Sequence, residues 1–264
     1  AEEDLKMKLD YDLYPEKDTI EIPIVFHVVW RDSVENLHDS IILQQLDVLN
    51  EAFNLENADT SLLTDTLVDC KGNFRIRFVL ATSDPWGDLS SGITRTKTEE
   101  LNFSYWNNRI KSDLTGGKSP WRTDKYMNVW IGNLASGLLG YSQFPGGPDS
   151  TDGNVVDFAV VGNQMYPWTY NPQYSLGKVL VHEVGHWLNL YHPWGNNGGC
   201  SEDYIPETGT QPYPITPSYN CPDTLMSTCP TRTQERIFVK HYMDYCGDSC
   251  MVTFTKGKVH RGLT

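Results

Sequence analysis

Apolar residues along the chain follow two periods. IEIPIVFHVVW at 20–30 is apolar and β-branched almost throughout, which predicts a buried strand. From Asp39 to about Asn57, Ile42, Leu46, Leu49 and Phe53 recur every three or four residues. That spacing predicts a helix with one apolar stripe, and Asp39 is placed to cap it. FRIRFVLA (74–81) alternates and predicts a strand. A further helix is expected over about 97–113. YMNVWIGNL (126–134), LLGYSQFP (138–145) and VVDFAVVG (155–162) predict three more strands, with the loop PGGPDSTDG (145–153) ahead of the last. Helical spacing returns from Tyr174 to Leu190, and 193 to about 236 reads mostly as loop. No repeat, low-complexity tract or linker divides the chain. The expectation is one α+β domain over 1–264, with an upper subdomain of about 1–189 and an irregular lower one of about 190–264.

Composition narrows the class. Eight Trp, fourteen Tyr and nine Phe in 264 residues are a globular inventory with a sizeable core. Lys and Arg number 21 against 34 Asp and Glu, a net charge of −13. Such a chain repels phosphate backbones, so nucleic acid is not an expected partner, while cations and basic peptides are attracted. No apolar run approaches the roughly 20 residues that span a bilayer. AEEDLKMKLDYDLYPEK at the start lacks the basic and apolar regions of a signal peptide and is expected to be a mature or trimmed terminus. A monomer is expected.

The cysteines change the picture of the last quarter. Cys70 stands alone, while Cys200, Cys221, Cys229, Cys246 and Cys250 crowd into a segment rich in Pro, Gly, Thr and Asn. Cross-links help most where a segment has little core of its own, so disulfides and an oxidising, extracellular setting are expected. No tight CxxC pair suggests a structural zinc site. Asn102-Phe103-Ser104 is a formal glycosylation sequon, meaningful only in a eukaryotic secretory host.

The chemistry lies in HEVGHWLNLYH (182–192). His182 and His186 are four apart and share a helix face, where two imidazoles reach one zinc ion. Glu183 lies off that axis, placed for a metal-bound water rather than the metal: two ligands and a general base. His192 can join them only if the helix stops and the chain turns near Asn189. Glycine makes such a left-handed turn without strain, and asparagine is the next most willing residue. Glu202 or Glu207 as third ligand is made redundant by His192. His27, in an apolar strand, reads as a satisfied core histidine. His38, His241 and His260 show no partner pattern.

These residues resemble a family. HExxHxxGxxH is the metzincin motif, here with Asn189 in place of Gly, and HEVGHWLxLYH is similar to the pappalysins, particularly compact ulilysin-like members. KHYMDYCGDSC (240–250) resembles their Met-turn, and GGC (198–200), NCPDTLMSTCP (220–230) and DSCM (248–251) resemble their cysteine layout. The likeness is strong over about 174–256. It implies a metzincin-like catalytic domain with a twisted, mainly antiparallel five-stranded sheet, two long helices and an irregular disulfide-linked C-terminal part. It implies one catalytic Zn²⁺ on His182, His186 and His192, Glu183 as base, Met243 as the Met-turn methionine and Tyr245 as an oxyanion stabiliser. It also implies pairs Cys200–Cys229 and Cys221–Cys250, with Cys70 and Cys246 left open. Calcium is implied at Asp203, Glu207 and Thr208 in SEDYIPETGTQ, although Gly209 departs from the family's proline. Peptide substrates would lie along LLGYSQFP, against Leu139, Gly140 and Tyr141, and Asp248 would favour Arg or Lys after the cut. The implied function is a secreted zinc endopeptidase. A zinc-scaffolded peptide-binding protein is the rival from another class, and Glu183 argues against it, because a scaffold has no use for a base.

Overall fold

A computed structural model describes residues 18–163, 172–195, 198–216, 221–230 and 232–264. The segment 1–17 and Asn220 of the cysteine motif lie outside them. The first strand, β1, spans Ile20–Trp30, as its apolar run predicts, and helix α1 spans Asp39–Asn54. His38, not Asp39, is the cap of α1: its side chain accepts from Ser40 N, and Asp39 sits inside the first turn. The helix stops at Leu55, whose φ of 55° is left-handed. A single turn, α2 (Asp65–Val68), precedes β2 (Lys71–Gly72), β3 (Ile76–Leu80) and β4 (Ile93–Lys97). The helix expected over 97–113 is instead three separate 3₁₀ turns at Tyr105–Asn107, Arg109–Lys111 and Asp113–Thr115. Asn108 at φ 49° and Gly116 at φ 83° break the run.

Strands β5 (Met127–Gly132), β6 (Gly140–Ser142) and β7 (Asn154–Asp157) complete the main sheet, in the order β3-β1-β5-β7-β6 with β4 also on β1. β3 and β4 pair with the first and second halves of the same flank of β1, so six strands fill five lateral positions. The expected antiparallel character is corrected here. β1 is parallel to β3, β4 and β5, and β5 is parallel to β7. Only β6 runs against its neighbour. The reason is connectivity: α1 and the long 98–126 segment act as crossovers, which return the chain in the same direction. Periodicity records which face is buried, not which way a strand runs.

The main core lies between one face of the sheet and two helices. Phe26, Val28, Val129 and Ile131 meet Leu49 and Phe53 of α1 and Leu180, Val181 and Val184 of the helix α3, Lys178–Trp187. The opposite face is covered by Phe103, ahead of the 3₁₀ turns, and Ile110 within them, packed on Trp130 and Val155. There His27 is a core residue, with Nδ1 2.7 Å from Thr94 Oγ1 and Nε2 3.0 Å from Asn128 Oδ1; burial pushes it down to about 4. Beyond α3 the chain forms a hairpin of β8 (Thr224–Met226) and β9 (Arg236–Phe238), then β10 (Phe254–Thr255) pairs with β2. A last helix, α4 (Lys256–Gly262), has Thr255 as its cap and was not foreseen from spacing: seven residues are too few to display a period.

Disulfides join Cys200 to Cys229 and Cys221 to Cys250. Cys70 and Cys246 stay free, Cys246 buried and Cys70 half-buried.

Candidate active site

The ten-residue α3 is shorter than its periodic pattern, and its interior Gly185 costs helix stability, about 1 kcal/mol against Ala. The tertiary contact explains the glycine. A Cβ at 185 would lie 2.3 Å from Met243 Sδ, so the thioether fills the space a side chain would need. Met243 is fully buried beneath the helix. The neighbouring carbonyl of Tyr242 accepts from His182 Nδ1 at 2.7 Å, which ties this turn to the helix.

The helix ends as the third histidine requires. Asn189 has φ 66°, Leu190 N donates to Gly185 O at 3.0 Å and Asn189 N to His186 O at 2.9 Å. These two bonds around a left-handed residue are the Schellman arrangement, with asparagine where glycine is usual. The chain reverses and His192 swings back to the helix face.

The three rings then converge. Nε2 of His192 stands 3.2 Å from Nε2 of His182 and 3.0 Å from Nε2 of His186. A carbonyl can only accept, so Nδ1 of His182 carries a proton for Tyr242 O and Nδ1 of His186 one for Leu190 O, the latter at 2.7 Å. In the neutral rings those Nε2 atoms are then bare lone pairs. Burial lowers both pKa values, to about 4 for His186 and well down for His182, where the charge of His186 adds. His192 is lowered by burial and by the two other rings. Lone pairs so close repel unless a cation lies among them. Tetrahedral zinc with bonds of about 2.0–2.1 Å would space its nitrogens about 3.3 Å apart, near the spacing seen. The donor set fits zinc, and its Nδ1–carbonyl bonds are the usual orienting partners of metal-binding imidazoles.

Glu183 is buried beside the cluster, and burial pushes its pKa up to about 8, opposed by the charge of Lys111. A cation on the imidazoles would pull it down again. A Cβ built on Gly140 of β6 would fall 2.8 Å from Glu183 Oε1, so the edge strand touches the carboxylate. Tyr245 is partly exposed, with its ring 5.5 Å from His182 and 5.0 Å from His192.

Two residues near the site escaped the sequence reading. Trp194 stacks on His192 at 4.4 Å and 8° and meets Tyr245 at 4.9 Å. Its position two residues after a ligand was the available signal. Lys111 is buried and donates to Thr151 O at 2.6 Å, beneath the rings of Trp130 and Tyr141. Nothing local in the sequence points to it.

Other predicted residues lie further out. Leu139 and Tyr141 flank Gly140 on the edge strand, Leu139 O accepting from Asp157 N at 2.8 Å. Asp248 is fully buried at the start of α3, where Oδ2 accepts from Leu176 N at 2.7 Å and Lys178 N at 3.3 Å. Its Oδ1 has no hydrogen-bond partner among the described residues. Asp203 accepts from Ile205 N and Thr208 Oγ1 and pairs with Lys258 Nζ at 2.9 Å, while Glu207 accepts from Gly257 N. The carboxylates of Asp203 and Glu207 thus accept from protein donors, and the Thr208 hydroxyl is itself one of those donors.

The profile of the pregnancy-associated plasma protein-A peptidases, family M43, matches residues 107–263, which include the whole cluster and both disulfides. The chain belongs to the pappalysin family. Extracellular metalloprotease 1 of Coccidioides posadasii is 39% identical over 247 residues, 90% of this chain and 74% of its own length. An extracellular metalloprotease of Arthroderma otae is 28% identical over 246 residues, 92% of this chain and 76% of its own. Among solved structures, mature mirolysin of Tannerella forsythia in complex with a cleaved peptide superposes with a TM-score of 0.86 at 39% identity, covering 93% of this chain and 91% of that one. Membership of the pappalysins makes the chain a metalloendopeptidase of metzincin fold and implies zinc as the metal. No helix among the described residues is long and apolar enough to cross a membrane.

Proposed function

We propose that the chain is a secreted, monomeric zinc endopeptidase that cuts extended peptides laid along β6, with His182, His186 and His192 as ligands. The observation that carries this reading is the meeting of three imidazole Nε2 atoms beside a buried glutamate and an open strand edge. Zinc held by the three imidazoles supplies Lewis acidity toward the scissile carbonyl and toward water. Glu183 takes the proton of the attacking water on its carboxylate and hands it to the leaving amine. The Tyr245 phenol, at the rim of the cluster, donates a hydrogen bond to the carbonyl oxygen as charge develops there. Met243 supports the helix from below.

Substrate binding follows from the ladder. Leu139 O and Gln143 N bond toward β7, so by antiparallel alternation the N–H and C=O of Gly140 and Ser142 face the open edge. A peptide strand can add there through main-chain bonds. Gly140 gives it backbone without bulk next to Glu183, and Leu139 and Tyr141 border it. In this reading 1–264 is one catalytic domain, with the cleft between the upper part to about 189 and the lower part from about 190. A preference for Arg or Lys after the cut is supported by Oδ1 of Asp248, which has no hydrogen-bond partner among the described residues, and by the net charge of −13. Calcium at Asp203, Glu207 and Thr208 is not included, because the Lys258 ammonium already neutralises Asp203. Mirolysin was solved with a cleaved peptide, and the homologues are named extracellular, which agrees with peptide substrates and secretion.

The test is cleavage-site profiling on a mixed peptide library, with and without a zinc chelator. Chelator-sensitive cuts before Arg or Lys are expected. Scattered chelator-sensitive cuts would remove the role given to Asp248, and no cuts from a folded, zinc-loaded chain would remove the endopeptidase mechanism.

A further inference from the structure

The turn that delivers His192 is held by the C-terminal helix. Three successive carbonyls leave this turn, and each is taken by a side chain. Asn189 O accepts from Arg261 Nε at 2.7 Å, Leu190 O from His186 Nδ1 at 2.7 Å, and Tyr191 O from Lys258 Nζ at 3.3 Å. Two of the three donors stand on α4, three residues apart and so on one helix face. The Arg261 guanidinium also lies 4.2 Å above the Tyr191 ring, with Tyr204 behind it at 5.7 Å. Lys258 is completely buried and is locked from its far side by Asp203. Gly262, at the end of α4, lets the helix approach the end of α3: a Cβ there would lie 3.2 Å from Leu188 O.

A left-handed asparagine is a weaker stop than a glycine, because its Cβ disfavours the conformation. Three residues on lies a cluster imidazole, His192. An error of an ångström at Asn189 would carry His192 away from the other two rings. We propose that α4 is a clamp for the third ligand: Arg261 and Lys258 are positioning residues that hold the Asn189–Tyr191 backbone so that His192 is presented to zinc. The 201–211 loop takes part through Asp203, which pairs with Lys258, which in turn holds Tyr191 O. The inference rests on the zinc-ligand reading above.

Arg261 is partly exposed and its bond to Asn189 O lies at the surface, so Arg261→Ala is the variant to make. Zinc affinity of the full chain would be measured by competition with a fluorescent chelator, beside the melting temperature of the metal-free chain and the visible spectrum of the cobalt-substituted one. Loss of a group bonded directly to a metal ligand weakens affinity by about 10–100-fold; Arg261 acts one step further out, so a loss of about 10-fold is expected, with an altered cobalt spectrum and a nearly unchanged metal-free melting temperature. Arg261→Lys should fall between the two, since an ammonium can bond Asn189 O but cannot lie flat on Tyr191. Unchanged affinity in Arg261→Ala would overturn the clamp. So would an affinity loss matched by an equal fall in metal-free stability, because α4 would then be a general brace. Failure of the unmodified chain to bind zinc would overturn the metal site and the clamp with it.

Discussion

Gly140 Cα rests against the carboxylate of Glu183: a methyl group at 140 would lie 2.8 Å from Oε1, 2.9 Å from Cγ and 3.0 Å from the backbone oxygen of Val155. The backbone on one side leaves the carboxylate as the part that must move. Gly140→Ala is therefore expected to lower kcat by about 10–100-fold, the scale on which a displaced catalytic group loses rate. Bound zinc should stay at the unmodified level by metal analysis. A full kcat would mean that Glu183 has room to spare.

Glu183→Ala separates catalysis from metal binding. General-base help is worth about 10²–10⁴-fold, so peptide hydrolysis should fall at least that far while zinc stoichiometry is unchanged. Retained hydrolysis in a zinc-loaded variant would sink the mechanism.

Asn189 tests the turn directly. Its φ of 66° suits glycine, so Asn189→Gly should change stability by only a few tenths of a kcal/mol, whereas Asn189→Ala should cost about 1 kcal/mol. Urea denaturation of the metal-free chain checks both. Equal midpoints for Ala and Asn would show that the asparagine side chain contributes nothing to the left-handed residue.

Asp157 carries a pH dependence away from the metal. Burial raises its pKa to about 6, against the bonds it accepts from Leu134 N and Ala159 N. An acid with a raised folded pKa binds more protons in the native state than in the unfolded state, so its contribution to stability falls as pH rises from about 4 to about 6. Two pH units correspond to about 3 kcal/mol at most. Asp157→Asn should remove that slope in a pH series of unfolding midpoints. An unchanged slope would assign it to other groups.

The two disulfides close overlapping loops, each with a sequence separation of 29. Loop-closure entropy for that length is about 3.6 kcal/mol. Replacing Cys200 and Cys229 together by Ser should cost about 2–4 kcal/mol in urea. A loss below 1 kcal/mol would mean the 200–229 segment holds its form without the link.

Local pattern determined a good deal by itself. The apolar run of 20–30 set β1, the period from Asp39 set α1, and two histidines four apart on a helix set two of the three members of the metal cluster. His192 and Asn189 together foretold the reversal after α3. Spacing did not tell strand direction, since parallel and antiparallel strands alternate alike, and it offered no sign of the 3₁₀ turns at 105–115, where a few left-handed residues override the trend. Nothing in the sequence explains Gly185 or Gly140 within their elements; Met243 and Glu183 occupy the space their side chains would need. Asp203 reads as a metal-seeking acid in isolation, and only the fold shows Lys258 from α4 beside it. Those outcomes depend on partners 43 to 58 residues away in the chain. Residues so far apart meet only when the whole chain has packed, so tertiary structure alone could decide them.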